Sequence, residues 1–228
     1  MIVRPTGSSN RLAESESDPI AIGKKLGADA VFDGSYLFDN DRIRVIARLL
    51  NVSDGKQMWS GNFDESTGDI FKLHESLSAQ AAKELSRTLS RPLVPRNSSP
   101  GTESVEAYDH YVRGRYAWNK RTRESLLESV RLFQKAIDAD PTFAKAYAGL
   151  ADSYVILNDY DAALPEESYP KAKAAALRAL EIDPALVEPR VTLAYVLSNY
   201  DWNFVEAERE YRGAIETAPN YATAHQWY

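Results

Sequence analysis

The chain has 228 residues, 44% of them apolar, and its 27 basic and 33 acidic side chains leave a net charge of −6. It contains no cysteine, which excludes disulfides, thiol nucleophiles and thiolate metal sites. No long apolar run reads as a membrane span, and the 11 glycines never form G-x-G-x-x-G or G-x-x-x-x-G-K-[ST], so no phosphate-cradling loop is encoded.

Val3 sits in a short strand-like start. Asp18–Gly27 (DPIAIGKKLG) reads as a helix opened by Asp-Pro and closed by Gly. Ala28–Phe38, Arg42–Val52 and Gln57–Phe63 alternate apolar and polar residues, the period of a half-buried strand. In the middle segment Ile43, Val45, Ala47 and Leu49 share one face, while Arg42, Arg44, Ile46 and Arg48 share the other. Asp39-Asn40-Asp41 and Ser53-Asp54-Gly55-Lys56 carry hairpin-turn chemistry. Ile70, Leu73, Leu77, Ala81, Leu85 and Leu89 then recur at three or four residues, which predicts a long amphipathic helix. Residues 1–91 are thus expected to form an α+β domain, an incomplete mixed sheet with helices. The stretch Arg91–Thr102 (RPLVPRNSSPGT) cannot bury a face, and a linker is placed at 92–104.

From 105 to 228 the pattern changes to repetition. AIDADPTFAKAYAGLADSY, ALEIDPALVEPRVTLAYVL and AIETAPNYATAHQWY share an Ala (Ala136, Ala179, Ala214) and a Pro five residues later. Pro141, Pro184 and Pro219 lie 43 and 35 residues apart, and each marks the end of one helix and the start of the next. Small residues let antiparallel helices approach closely. Gly114, Ala151 and Ala194 occupy that slot on first helices, and Ser129, Ala172 and Ala207, then Ala136, Ala179 and Ala214, on second helices. Leu150, Leu193, Phe133 and Tyr211 are expected to fill the spaces between.

This arrangement resembles the tetratricopeptide repeat family from about Glu106 to Tyr228, with its roughly 34-residue period lengthened in some turns. Three units are readable and a fourth is expected to break off after Ala222–Tyr228, leaving an end prone to fraying and self-association. Upstream, LGADAVFDGS, DRIRVIARLLNVSDGKQMW and the FDE…DIF entry into the last helix look like the TolB-like or FlgO-like amino-terminal domain that precedes such repeats in bacterial signalling proteins. That resemblance implies an α+β domain lacking its first strand and helix, an all-α solenoid, and an output module elsewhere. In the family that module is a winged helix, a nucleotide cyclase or a protein kinase.

The resemblance also implies where a partner would bind, since first helices line the concave face of such arrays. Carried over by the small-residue slot, Tyr108, Tyr111, Arg115, Trp118 and Asn119 fall there from the first unit, Lys145 and Asp152 from the second, and Glu188, Tyr195 and Asn199 from the third. Aromatic and Arg side chains are those that most often anchor interfaces. The expected partner is a protein or peptide segment, and Asp152 and Glu188 argue against a clamp for a terminal carboxylate. His74, His110 and His225 lack metal-ligand spacing, so neither a metal nor a cofactor is expected, and no catalytic residue is assigned. Residues 102–228 carry 14 basic and 20 acidic side chains, a poor match to nucleic acid. The functional expectation is a non-catalytic binding, scaffold or sensor region of a bacterial signalling or transcription-regulatory protein. The alternatives are the same region of a cyclase or kinase, or a cell-envelope assembly factor. The side of a bacterial inner membrane on which it works, cytoplasmic or periplasmic, stays open.

Overall fold

The computed structural model describes residue 13 and residues 16–40, 42–66, 70–88 and 101–228. Their contacts fall into two compact units, one within 8–100 and one within 101–228.

The first unit opens with helix α1 (Pro19–Lys25). The Asp18 side chain accepts from the Ile20 and Ala21 amides at 3.0 and 3.3 Å, satisfying donors that the helix leaves free at its start. Gly23 brings this helix close to the sheet, because a Cβ there would lie 2.6 Å from both Val31 and Val52 side chains. Strands β1 (Ala30–Asp39), β2 (Arg42–Asn51) and β3 (Gln57–Ser66) form an antiparallel meander in the order β1-β2-β3. The described sheet is antiparallel throughout rather than mixed, and the strand read at Val3 lies outside the described residues.

Register assigns the two faces. Val45 stands opposite Tyr36 and Phe63, and Ala47 opposite Gly34 and Gly61. Ile43, Ala47 and Phe63 form the core of this face with Val45, Trp59 and Leu77 of helix α2 (Ile70–Thr88), which packs on β3. On the opposite face Arg42 and Arg44 both reach the Asp64 carboxylate, at 2.8 and 2.9 Å, and Arg48 pairs with Asp33. The alternation read from sequence is therefore a core face and an ion-paired face. Leu89, read as the last helical position, lies outside the described residues.

The second unit is a stack of helix pairs: α3 (Val105–Lys120) with α4 (Arg123–Ala139), α5 (Ala144–Ile156) with α6 (Pro165–Ile182), and α7 (Glu188–Asn199) with α8 (Phe204–Thr217), followed by α9 (Ala222–Trp227). Pro141, Pro184 and Pro219 sit between successive units. Pro170, by contrast, lies inside α6 on its solvent side. Residues read as the end of the linker are tied to the first repeat: Thr102 bonds the Asp140 carboxylate, and the Ser104 hydroxyl caps α3 through the Ala107 amide at 3.1 Å.

Every small residue assigned to a helix–helix contact is buried, from Gly114 and Ser129 through Ala136, Ala151, Ala172, Ala179, Ala194 and Ala207 to Ala214. Phe133 explains two of the backbone approaches. A Cβ on Gly114 would meet its ring at 2.8 Å, and one on Gly149 at 2.5 Å, so the fully buried ring fills the space that two glycines leave.

Candidate protein-binding face

The first helices α3, α5 and α7 meet at one buried carboxylate. Asp152 lies in α5 among Ala, Gly, Leu and Val, where a charge needs partners to be tolerated. One of its oxygens takes a 3.1 Å bond from Arg115 Nη1 on α3, and the other takes a 2.6 Å bond from the Thr192 hydroxyl on α7. The Asp152 side chain is 6% exposed and that of Arg115 34%. Both carboxylate oxygens are spent internally, while the Arg115 side chain as a whole is about one-third exposed. Burial pushes the Asp152 carboxyl up, more than Arg115 and Thr192 draw it down. Burial alone would lower Arg115, but Asp152, Tyr111 and Tyr221 outweigh it and raise it.

Other candidates gather around this pair. Tyr111 packs its ring against Phe143 and Phe133, with centroids 5.1 and 5.9 Å away; burial raises its hydroxyl, with Arg115 opposing and Glu188 and Asp152 adding. Lys145 is half-buried, and desolvation lowers its ammonium while Glu188 and Asp183 act the other way. Tyr221, before α9, is raised by burial and by Asp152 and Glu188. Tyr111, Arg115, Lys145, Asp152 and Glu188 thus form one electrostatically coupled group drawn from all three repeats.

Trp118 and Tyr195 belong to a second, aromatic group at the other end of these helices. Trp118 receives the guanidinium carbons of Arg121 at 3.6 Å and Arg115 at 4.6 Å over its ring. Its buried Nε1 has no hydrogen-bond partner among the described residues. Tyr195 lies 4.7 Å from the Trp227 ring and 6.4 Å from Tyr169, and burial with Tyr169 and Asp159 pushes its hydroxyl up to about 12. Both residues pack on the core cluster of Leu126, Val155 and Val196.

The remaining candidates are more peripheral. Tyr108 is buried, so its ring covers the core. Asn119 is half-buried. Asn199 is exposed and turns its amide back to the Tyr195 carbonyl at 3.0 Å. Sequence reasoning missed Thr192, Tyr221 and Trp227. Thr192 left one signal, a hydroxyl on the otherwise apolar side of VTLAYVL, where a buried polar group must find a partner. Among the described residues no group of three or more His, Asp or Glu side chains could hold a metal ion. His110 lies 3.9 Å from Glu106, and His225 Nε2 lies 2.8 Å from the Pro219 carbonyl.

Residues 132–164 match the family model described as tetratricopeptide repeat. A protein of Rhizobium meliloti (strain 1021) named "Putative adenylate cyclase 3" is 29% identical over 179 residues, which is 78% of this chain and 30% of that protein. The match therefore spans less than a third of the relative's length. Among solved structures, the Arabidopsis OM64 TPR domain is 17% identical with a TM-score of 0.44, covering 54% of this chain and 90% of its own. The first TPR of Spaghetti (RPAP3), bound to the HSP90 peptide SRMEEVD, is 17% identical with a TM-score of 0.45, covering 55% and 90%. The chain carries tetratricopeptide repeats preceded by a small three-strand unit.

Proposed function

We propose that this region is a non-catalytic scaffold or sensor of a bacterial signalling or transcription-regulatory protein, and that its first helices hold a protein segment. The observation that carries this reading is the Arg115–Asp152–Thr192 chain, which fixes α3, α5 and α7 against one another through a single carboxylate. A face fixed in this way costs little ordering when a partner docks. Asp152 is neutralised internally, and around it this face sets Arg115 and Glu188 near Tyr111 and Glu188 near Lys145. The three-stranded meander with its flanking helices supports the TolB-like or FlgO-like resemblance of the first unit.

The distant likeness to a protein named as an adenylate cyclase favours one version of this reading, in which the region is the accessory part of a nucleotide cyclase. A random-peptide display selection on the purified chain tests the binding role. Enriched peptides should lose at least tenfold in affinity on Lys145→Ala with Glu188→Ala and keep it on Glu166→Gln. Enrichment that ignores the paired substitution would place binding elsewhere. Turnover of ATP or GTP that tracks the purified chain and is lost on a point substitution would overturn the non-catalytic assignment.

A further inference from the structure

The turns joining first to second helices all place one residue in the left-handed region: Arg121 at φ 56°, Asp161 at 51° and Trp202 at 55°. Gly or Asn takes that conformation most cheaply, and bulky side chains rarely do. The first two have internal duties, since Arg121 stacks on Trp118 and the Asp161 carbonyl receives the Arg123 guanidinium. Trp202 differs. Its indole is 74% exposed and meets the Phe204 ring edge-on at 6.1 Å. Phe204 is itself 59% exposed and Val205 82%. Three large apolar side chains within four residues form a patch that single scattered surface residues do not explain.

The backbone beneath the patch is fixed. The Asn203 amide bonds the Leu197 carbonyl at 2.8 Å, the Asp201 amide bonds Val196 at 3.1 Å, and Lys173 ion-pairs with Asp201. The margin of the patch is acidic. Tyr200 lies 5.4 Å from Tyr169, and the Asp159 charge acts on the Tyr169 hydroxyl, so the turn carrying exposed Asp159, Asp161, Glu166 and Glu167 adjoins this one. The bases around these turns are already engaged: Lys173 pairs with Asp201, Arg209 with Glu206 and Glu210, Arg123 bonds the Asp161 carbonyl, and Lys171 lies over the Tyr154 ring.

The geometry points to Trp202, Phe204 and Val205 as a second docking surface, separate from the concave face, for a basic helix of a partner protein that presents an apolar stripe flanked by Lys or Arg. A second copy meeting the patch symmetrically would set acid against acid. An anionic lipid surface would be repelled by the same margin.

The probe is a synthetic amphipathic Leu/Lys helical peptide, with a Leu/Glu peptide of the same pattern as control, titrated against the full chain by calorimetry. The Leu/Lys peptide should bind and the Leu/Glu peptide should not. Trp202→Asn with Phe204→Ser should weaken binding at least tenfold, and Asn suits the left-handed position, so the turn and the thermal melt should be retained. Glu166→Gln with Glu167→Gln should weaken binding and flatten its salt dependence, while Lys145→Ala on the concave face should leave it unchanged. No binding of the Leu/Lys peptide, equal binding of both peptides, or equal loss on Lys145→Ala would overturn the assignment. Self-association, or pelleting with phosphatidylserine vesicles, that disappears in the Trp202→Asn, Phe204→Ser variant would overturn it in favour of a second copy or a membrane.

Discussion

The ring of Phe133 occupies the place where a side chain at Gly149 would stand, with its Cε1 2.5 Å from an added Cβ. Phe133 is fully buried and also abuts Gly114 on the preceding first helix, so it has little room to yield. Two repeats are thus packed through one aromatic ring and two bare backbones.

Gly149→Ala is therefore expected to destabilise the helical unit by about 1–2 kcal/mol, the overpacking cost less the helix-propensity gain of Ala. Gly213 offers an internal comparison, because nothing lies within 4 Å of its added Cβ. Gly213→Ala in α8 should stabilise by about 0.5–1 kcal/mol. Urea melts of the two variants check both signs, and a shift in the same direction would refute the packing argument.

Ala179 tests the register of the second repeat. It is completely buried, at the position where α6 closes on its neighbours. Ala179→Leu should cost about 1–3 kcal/mol, whereas Glu166→Leu, at an exposed position in the first turn of α6, should change stability by less than about 0.5 kcal/mol. Equal denaturant midpoints would show that the small residue is not required there.

The Arg115–Asp152 pair should show its coupling in a double-mutant cycle. Arg115→Ala strands a carboxylate on a side chain 6% exposed, and Asp152→Ala strands a guanidinium on a side chain 34% exposed. Discounted for that exposure, each single change is expected to cost about 2–3 kcal/mol. The double variant should cost clearly less than the two together. Thermal unfolding of the four proteins measures this, and simple additivity would mean that the pair does not join the repeats.

How far all this could be read in advance varies with the physics. Periodicity gave the meander and the helix pairs, because burial of Ile43 and Ala47, or of Ala136 and Ala179, imposes its own spacing on the chain. The prolines marked the joints between repeats for the same kind of local reason. The polar network was not legible as a network. Arg115, Asp152 and Thr192 are 37 and 40 residues apart, and only the stacking of three first helices makes them neighbours. The mixed charges read along the groove likewise concealed that Asp152 is consumed internally. Trp202 was not legible either, since neither its φ of 55° nor its exposure has a local sequence signal.

Asp140 carries the pH prediction. Its hydrogen bond from Thr102, with those from the Thr142 hydroxyl and amide, holds its carboxyl below the ordinary range. A depressed native value means that the unfolded chain binds the proton more readily. The stabilisation is then complete above about pH 4, the ordinary carboxylate value, and is lost as pH falls from there through the lowered native value. Asp140→Asn removes the titration, so the stability gap between wild type and variant should narrow as pH falls through that window. Thr102→Val, which removes the largest cause, should raise the Asp140 pKa toward its ordinary value in an NMR titration. If the two stability curves ran parallel down to full protonation, Asp140 would not be what fastens Thr102 and the start of α3 to the first repeat.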